Sequence, residues 1–395
     1  MKKILLFIAC LFIISSTKAQ DRAITTGVPF LLVAADARAA GMADIGVATS
    51  PDAFSQQWNP AKYAFTTDKQ GLSISYTPYL TDLVNDISLG QLTYYNKINE
   101  RSAFAGSIRY FSLGQIELRD NALDPARIVK PSEFAIDMSY SLKLSPLFSM
   151  SVGGRYINSN LSITTEGQSN SSASSFAFDL SGFYQSEEIA YNDFNGRWRW
   201  GFNFQNLGPK INYDLTQSNN GSNFLPSNLK IGSGFDFIFD DYNKIAVNVE
   251  FNKLLVPTPQ IPVPVDLNND GDTSDALENG ISQNNAAYNN IGWAPGIFKS
   301  FSDAPNGFSE EIKEVTYAIG AEYLYQDSFA MRMGYFHESP EKGARQFFSL
   351  GAGFKYTTIK VDVSYLFSAS KVRNPLENTL RFSLTFNFGD KYDEY

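Results

Sequence analysis

The sequence is dominated by stretches of about ten residues in which apolar and polar side chains alternate. In 197–205, every second residue from Trp198 to Phe204 is aromatic, and arginine, glycine, asparagine or glutamine fills the positions between them. The same period of two runs through 244–252 and 378–388. Such alternation places successive side chains on opposite faces of a β-strand. The chain is therefore predicted to form long strands that have one apolar face and one polar face.

Two environments produce strands of this kind. In a soluble β-sandwich the apolar face meets a second sheet, and strands usually run about five to six residues. In an outer-membrane barrel the apolar face meets lipid, and strands run ~9–11 residues with aromatic girdles at both interfaces. The strands here are long, and many of the 32 phenylalanines and 21 tyrosines lie near their ends. We therefore predict a membrane barrel, with a soluble β-protein as the disfavoured alternative.

Counting the alternating segments predicts an all-β fold, a 14-stranded transmembrane antiparallel β-barrel spanning residues 71–395. Links after strands 3, 5, 7 and 9 are long, the longest being 254–313, whereas links such as 240–243 are short. Long extracellular loops and short periplasmic turns are typical of outer-membrane barrels. The predicted strands are 71–79, 86–97, 101–112, 132–143, 147–159, 174–185, 197–207, 227–239, 244–253, 314–325, 328–338, 345–356, 358–368 and 378–388.

The N-terminus has the pattern of a secretory signal peptide. Lys2 and Lys3 precede an apolar stretch that ends at Ile14, and small residues lead to a cleavage site after Ala19. This apolar stretch is too short to cross a bilayer as a helix. Residues 1–19 are therefore predicted to direct export and to be removed, which favours an outer-membrane location for the barrel.

The segment before the barrel does not alternate. Residues 20–70 are rich in alanine and glycine, which suits short helical turns and tight backbone packing. Ser50 and Pro51 predict the start of a helix, and Asn59-Pro60 predicts a turn or another helix start. A fourteen-stranded barrel is too wide for its own side chains to fill. We therefore predict that this segment is an N-terminal helical hatch in the barrel lumen.

The hatch carries a motif that resembles a known family. The run 36–48 reads DARAAGMADIGVA, includes Arg38 and Gly41, and is followed by Asn59-Pro60-Ala61. These residues resemble the hatch of FadL-type outer-membrane barrels. Within that superfamily the chain is most similar to the PorV family of type IX secretion systems, over the hatch, the strands and the tail. Lys62 departs from the transporters of the superfamily, which usually carry glycine at that position.

The resemblance implies a non-enzymatic role in protein secretion. PorV-like barrels bind the C-terminal signal domains of exported proteins and carry them from the translocon to the surface attachment complex, which contains a sortase. The implied partners are therefore outer-membrane lipid, the type IX translocon barrel, cargo C-terminal signal domains and the sortase complex. The alternative function is FadL-like transport of hydrophobic small molecules across the outer membrane, and a passive porin is a third class.

Composition argues against several other classes. One histidine and one cysteine leave little for a catalytic triad or a disulfide framework, so we expect no enzyme activity and no required cofactor. The net charge of −9 disfavours a nucleic-acid partner. Charged residues at inward strand positions, such as Arg199, Glu250 and Asp362, either mark a permeation path or pair with one another and with the hatch. We favour pairing.

One acidic loop has the spacing of a calcium site. Its oxygen-bearing side chains occupy positions 1, 3, 5 and 7 around a glycine at position 6, so that alternate residues converge on one ion. Position 12 is leucine rather than the usual glutamate, and an ordinary turn is the alternative. The predicted Ca²⁺ ligands are Asp266, Asn268, Asp270 and Asp272.

The long loop 254–313 is predicted to bind a protein partner. Prolines recur at every second or third position from 257 to 264, which makes the first part of the loop extended and stiff. The apolar residues beside these prolines are expected to be exposed for docking. The predicted contacts with the translocon or the cargo are Val256, Pro257, Pro259, Ile261, Pro262, Val263, Trp293, Phe298 and Phe301.

Overall fold

The structure is a computed structural model that describes residues 23–119, 125–161, 172–213, 222–260, 263–266, 271, 287–370 and 374–391. Some predictions fall on other residues. The signal peptide 1–19 and its cleavage site, together with Ile261, Pro262, Asn268, Asp270 and Asp272, lie outside the described residues.

Fourteen long strands follow the period-two segments of the sequence. They are β1 (Asp68–Pro78), β2 (Ile87–Asn99), β3 (Ser102–Leu113), β4 (Ser132–Ser145), β5 (Phe148–Asn160), β6 (Ala173–Gln185), β7 (Asn195–Leu207), β8 (Asn228–Ile238), β9 (Asn243–Leu254), β10 (Val315–Tyr325), β11 (Phe329–His337), β12 (Gln346–Tyr356), β13 (Ile359–Ser368) and β14 (Leu380–Lys391). Each predicted strand overlaps one of these, and the largest shift of a start is three residues, at β1.

The strands form one closed antiparallel ring. Every strand pairs with its neighbours in the chain, and β1 pairs with β14, where Ile74 lies opposite Leu384. Closure satisfies the backbone hydrogen bonds of both terminal strands, which hydrocarbon requires because it offers no alternative partner. The predicted fourteen-stranded barrel is therefore confirmed.

The two faces of the wall differ as the alternation predicts. On β7, Trp198 and Trp200 are exposed on the outer face, whereas Arg199 and Asn203 are buried on the inner face. Burial alternates in the same way along β3 and β4. The outer face therefore carries large apolar side chains toward lipid, and the inner face presents polar groups to whatever fills the lumen.

The links differ in length between the two ends of the barrel. Links 114–131, 161–172, 208–227 and 255–314 all leave one end, which their length identifies as extracellular. Two of them contain short hairpins, Ile116–Leu118 with Arg127–Val129 and Ile211–Asn212 with Ser222–Asn223. At the periplasmic end, Ile189–Ala190 pairs with the start of β7 and extends that turn.

In the part of the chain that the structure describes, helical structure is confined to short pieces. The hatch contains Pro29–Leu32 and Pro60–Phe65, which are 3₁₀ helices, and the α-helices Ala37–Ala40 and Ser55–Trp58. The longest link contains the α-helices Trp293–Lys299 and Phe308–Glu311 and the 3₁₀ turn Ile312–Glu314. Across the described residues, none of the helices has the length and apolar character needed to cross a membrane.

The hatch threads the lumen from one end to the other. At the extracellular end, the Gly27 amide donates to the Phe224 carbonyl oxygen in the link after β7, at 2.9 Å. At the periplasmic end, Lys97 Nζ donates to the Thr66 carbonyl oxygen at 2.8 Å, just before β1 begins. Most side chains between these points are buried, so the hatch fills much of the space that the wide ring leaves open.

The predicted helix start at Ser50 and Pro51 is wrong. The helix begins five residues after Ser50, at Ser55, whose amide bonds the Asp52 carbonyl oxygen. Ser50 does not cap a helix because Arg38 occupies both its carbonyl oxygen and its hydroxyl. The predicted turn at Asn59-Pro60 does start a 3₁₀ helix, with the Asn59 side chain accepting from the Ala61 amide.

Candidate functional site

Arg38 is the main polar link between the hatch and the wall. Its guanidinium donates from Nε and Nη2 to the two carboxylate oxygens of Glu322 on β10, at 3.1 and 2.7 Å. The remaining nitrogen, Nη1, donates to Asp52 Oδ2 at 2.7 Å. A planar guanidinium suits this bidentate geometry, which a lysine would not reproduce. Arg38 thereby joins the helix Ala37–Ala40 both to the wall at Glu322 and to the later part of the hatch at Ser50 and Asp52.

Glu322 joins this link to a chain of charges along the wall. Arg332 on β11 donates from Nε to Glu322 Oε1 at 2.7 Å, and its Nη1 lies 2.8 Å from Asp362 on β13. All of these side chains are buried. Opposite charges in this arrangement neutralise one another inside the lumen. The inward Asp362 therefore pairs rather than lining an open path.

A second carboxylate holds the middle of the hatch. Glu250 Oε2 on β9 accepts from the amides of Gly46 and Val47, at 2.8 and 2.9 Å, and its other oxygen accepts from Lys230 Nζ at 3.1 Å. Arg199 donates from Nε to the Ala48 carbonyl oxygen at 3.0 Å. Inward charges of the wall thus bind hatch backbone groups that have no helix or strand partner.

Gly41 lies where the hatch backbone touches the wall. A Cβ at this position would stand 3.0 Å from the Cα of Gly351 on β12. On β11, a Cβ at Gly334 would stand 2.4 Å from the Met42 carbonyl carbon. Side chains at these positions would force the two backbones apart, so the glycines of the hatch motif and of the wall act together to permit close packing.

The Asn-Pro-Ala turn is docked on a row of wall serines. Ser141 Oγ donates to the Pro60 carbonyl oxygen at 2.6 Å, and Ser149 Oγ donates to the Ala61 carbonyl oxygen at 2.7 Å. Asn59 Nδ2 donates to the Val47 carbonyl oxygen at 2.9 Å, which connects two parts of the hatch. The motif residues of the hatch therefore have structural contacts that hold the plug in place.

Lys62 is fully buried beside this turn. Its Nζ donates to two neutral oxygens, the Gly46 carbonyl at 2.9 Å and Thr49 Oγ1 at 3.0 Å. Burial lowers the pKa of the Lys62 ammonium to about 8, against the opposing pull of the Asp52 carboxylate. Its side chain occupies lumen volume that a glycine would leave empty.

The N-terminal part of the hatch seals the extracellular half of the lumen with apolar groups. Val28, Phe30 and Leu31 are buried among apolar wall residues, and the Phe30 ring stacks on that of Phe111 at 6.1 Å. Arg109 Nη1 on β3 donates to the Leu31 carbonyl oxygen at 3.0 Å. The chain's own apolar side chains therefore occupy this part of the lumen.

A polar vestibule opens below the hatch at the periplasmic mouth. Its volume is about 610 Å³, and both the hatch and the wall line it. Arg38 and Asp52 form part of its inner end, and Asp240 and Lys244 lie toward its opening. The mixed charges make it a solvated space rather than a pocket for an apolar compound.

The long loop is only partly an exposed arm. Val256 is 0% exposed and Pro257 is also buried, so the prediction that they are exposed for docking is wrong. Proline made this stretch extended, but the stretch packs down over the rim, where Gly296 lies against Pro257. Pro259 is half-buried, Val263 is 44% exposed, Trp293 is half-buried, and Phe298 and Phe301 are exposed.

Buried ion pairs fasten the end of this loop to the rim. Lys253 on β9 donates to Glu311 and Glu314, at 3.1 and 2.7 Å. Lys342, in the link after β11, donates to Glu310 and Glu314, at 2.7 and 2.9 Å. These carboxylates and ammonium groups are largely removed from solvent, so the loop is held in one position at its C-terminal end.

Two residues of the acidic loop are described. The Gly271 amide donates to Asp266 Oδ2 at 2.9 Å, and Gly271 has a φ of +88°, which glycine adopts without strain. Among the described residues, no group of three or more potential metal ligands comes together. A Ca²⁺ ion bound by Asp266 and its neighbours stays a prediction.

Sequence reasoning missed several residues that hold the hatch. Asp52 and Glu322 were not singled out, nor was Asp36, which accepts from the Trp58 indole nitrogen at 2.7 Å. Burial, followed by the nearby Asp52 carboxylate, raises the pKa of Asp36 to about 6. The sequence did contain one indication of the hatch contacts. Serine recurs at inward positions of β4 and β5, where small hydrogen-bond donors leave room for a plug.

Replacing Arg38 is expected to loosen the hatch. In Arg38→Met, the buried carboxylate of Glu322 loses both hydrogen bonds from Arg38, and breaking a buried pair in this way costs about 3–5 kcal/mol. The variant should therefore unfold at a lower temperature and show more frequent ion conductance in planar bilayers. The exposed Arg101 provides a matched control, Arg101→Met. Equal conductance in the two variants would show that Arg38 does not hold the plug.

Lys62 is expected to make stability depend on pH. Its folded-state pKa of about 8 lies below the ordinary value of 10.5, so the unfolded chain binds more protons between these values. Stability should therefore rise as the pH increases from 8 to 10.5. Thermal unfolding in detergent measures this rise, which Lys62→Met should lack. Lys69, which is only half-buried, gives the control Lys69→Met, and parallel pH profiles for all three proteins would contradict the assignment.

Solved structures of similar fold are outer-membrane channels. A monoaromatic hydrocarbon channel, CymD, superposes with a TM-score of 0.50 at 14% identity, over 90% of this chain and 98% of that chain. The toluene transporter TbuX of Ralstonia pickettii gives 0.50 at 13% identity, over 91% and 100%. A FadL homologue of Pseudomonas aeruginosa gives 0.46 at 14% identity, over 93% and 100%. At this identity the likeness concerns the fold alone.

Sequence comparison identifies the family. No curated protein sequence matches the chain. Residues 16–261 match the family described as type IX secretion system protein PorV, which covers the hatch motif and the first nine strands. Together with the closed barrel, this match makes the chain an outer-membrane component of protein secretion. The protein belongs to the PorV family of the type IX secretion system.

Proposed function

We propose that this barrel binds the C-terminal signal domains of exported proteins and carries them from the type IX translocon to the sortase-containing attachment complex. Membership of the PorV family supports a role in type IX secretion. The observation that carries the proposal is the sealed lumen, in which Arg38, Glu250 and the Asn59-Pro60-Ala61 turn all fix the hatch to the wall. The function is then performed at the rim, without catalysis.

Transport of a hydrophobic compound is the second candidate. The fold that the chain shares with hydrocarbon channels supports it. Two observations weigh against it: Val28, Phe30 and Leu31 occupy the apolar part of the lumen, and Lys62 brings a buried ammonium to its centre. A route through the lumen would require the hatch to move, which gives a way to separate the two candidates.

Covalent locking of the hatch tests this difference. A Cβ at Gly232 would lie 3.4 Å from the Cβ of Ala48, close to the spacing of a disulfide, and 2.5 Å from Val47 Cγ1. The pair Ala48→Cys with Gly232→Cys is therefore made together with Val47→Ala, and Val47→Ala alone is the control. Capture of a cargo signal domain should be equal for the oxidised and the reduced barrel.

A difference between the oxidised and the reduced barrel would favour a function that runs through the lumen. If oxidation abolished cargo capture and a reductant restored it, hatch movement would be part of the function and the proposal would fail. Uptake of a hydrophobic compound by the reduced barrel, blocked on oxidation, would support the transporter instead.

The partner surface on the long loop is proposed to lie beyond the buried residue Thr258. Pro259 and Val263 are the described candidates in this part, with Ile261 and Pro262 between them in sequence. The Tyr288 hydroxyl donates to the Pro257 carbonyl oxygen at 3.2 Å, so the two sides of this part of the loop lie close together. A short Gly-Ser linker can therefore replace residues 259–286 while Pro257, Thr258 and Tyr288 are kept.

Removing 259–286 should leave a folded barrel that no longer captures cargo or translocon. Heat-modifiable migration in gels checks folding, and co-purification from outer membranes measures capture. Deletion of 162–171, in another extracellular link, is the control. Normal capture after removal of 259–286 would refute the assignment of this loop segment and leave the hatch experiment unaffected.

A further inference from the structure

The folded part of the long loop lies over the outside of the barrel rim. The Trp293 ring packs edge-on against the Phe178 ring, with centroids 6.0 Å apart. Phe178 is half exposed on the outer face of β6, and it pairs with Leu207, the last residue of β7. This contact therefore lies on the lipid-facing side of the wall, at the level where β7 ends on the extracellular side.

A second contact agrees with this position. Lys253 follows Phe251 at the next outward position of β9, and it binds Glu311 and Glu314 of the loop. The carboxylates of Glu311 and Glu314 are thus turned toward the rim and neutralised there.

The helix Trp293–Lys299 has two different sides. On one side, a Cβ at Gly296 would lie 3.0 Å from Phe224 and 3.2 Å from Pro257, so the helix backbone packs closely on the rim. Away from this contact, Phe298 is 77% exposed and Phe301 is 49% exposed, and Lys299 is exposed between them. Aromatic rings beside a lysine are typical of segments that lie in a membrane interface.

We propose that Trp293, Phe298 and Phe301 form an interfacial anchor that inserts into the outer leaflet beside β6. The occupant of this exposed apolar surface is lipid, because Trp293 makes the surface continuous with the lipid-facing wall at Phe178. The anchor holds the loop along the membrane plane, next to the barrel. This binding to lipid goes beyond the proposed function and does not depend on cargo or translocon.

The test is a depth measurement in vesicles that contain only this barrel. Cys10, the one cysteine of the chain, lies in the predicted signal peptide, so Phe298→Cys supplies a single thiol for an environment-sensitive fluorophore. The full-length mature barrel is reconstituted into vesicles of phosphatidylcholine and phosphatidylglycerol, with or without dibrominated phosphatidylcholine as quencher. Heat-modifiable migration confirms folding of each labelled variant.

Two further positions calibrate the measurement. Met138→Cys, at a side chain that is 71% exposed on the outer wall, reports full contact with lipid. Gln115→Cys, at an exposed polar residue in the link after β3, reports water. The probe at 298 should show a blue-shifted emission and at least half the quenching of the probe at 138. If the probe at 298 is quenched no more than the probe at 115, the proposal is overturned, and a protein partner becomes the alternative occupant of this surface.

Discussion

The closed ring of backbone hydrogen bonds is the constraint from which the rest of this structure follows. Hydrocarbon offers no partner for a free amide or carbonyl, so β1 must pair with β14 and the ring cannot open. A ring of fourteen strands encloses a lumen that is too wide for the inward side chains to fill. A barrel of this size has to contain either water or a plug. The Ala- and Gly-rich segment before β1 provides the plug.

The chemistry of the wall decides how the plug is held. Because the outer face takes the large apolar residues, the inner face is left with serine, arginine and carboxylates, and the hatch docks mainly through hydrogen bonds and ion pairs. Such buried pairs add little net stability compared with apolar packing, but they fix position because a misplaced charge would be buried alone. Arg38 donates two hydrogen bonds to Glu322, and this geometry permits only one position of the helix Ala37–Ala40 against the wall.

Sequence predicted the barrel well because lipid makes the pattern strict. A strand between lipid and a polar lumen must alternate at every step, so all fourteen segments were recognisable and only their ends moved. The partners of the hatch were not predictable in this way. Arg38 and Glu322 lie 284 positions apart, and no local pattern relates them. The exposure of Val256 and Pro257 was mispredicted because proline determines backbone extension, whereas burial depends on what the loop packs against.

A sealed lumen also changes which part of the molecule can act. Polar groups of the hatch are hydrogen-bonded to the wall, and the periplasmic vestibule ends at Arg38 and Asp52. Neither the hatch nor the vestibule therefore offers a continuous path through the lumen. The extracellular rim is different, since its longest loop is held by Lys253 and Lys342 at one end and by Gly296 against Pro257 in the middle. Among the described residues that follow Thr258, Gln260, Val263 and Pro264 are exposed. A rigid rim beside the bilayer would bring a bound protein close to the membrane surface, where a secretion partner embedded in the same membrane would meet it.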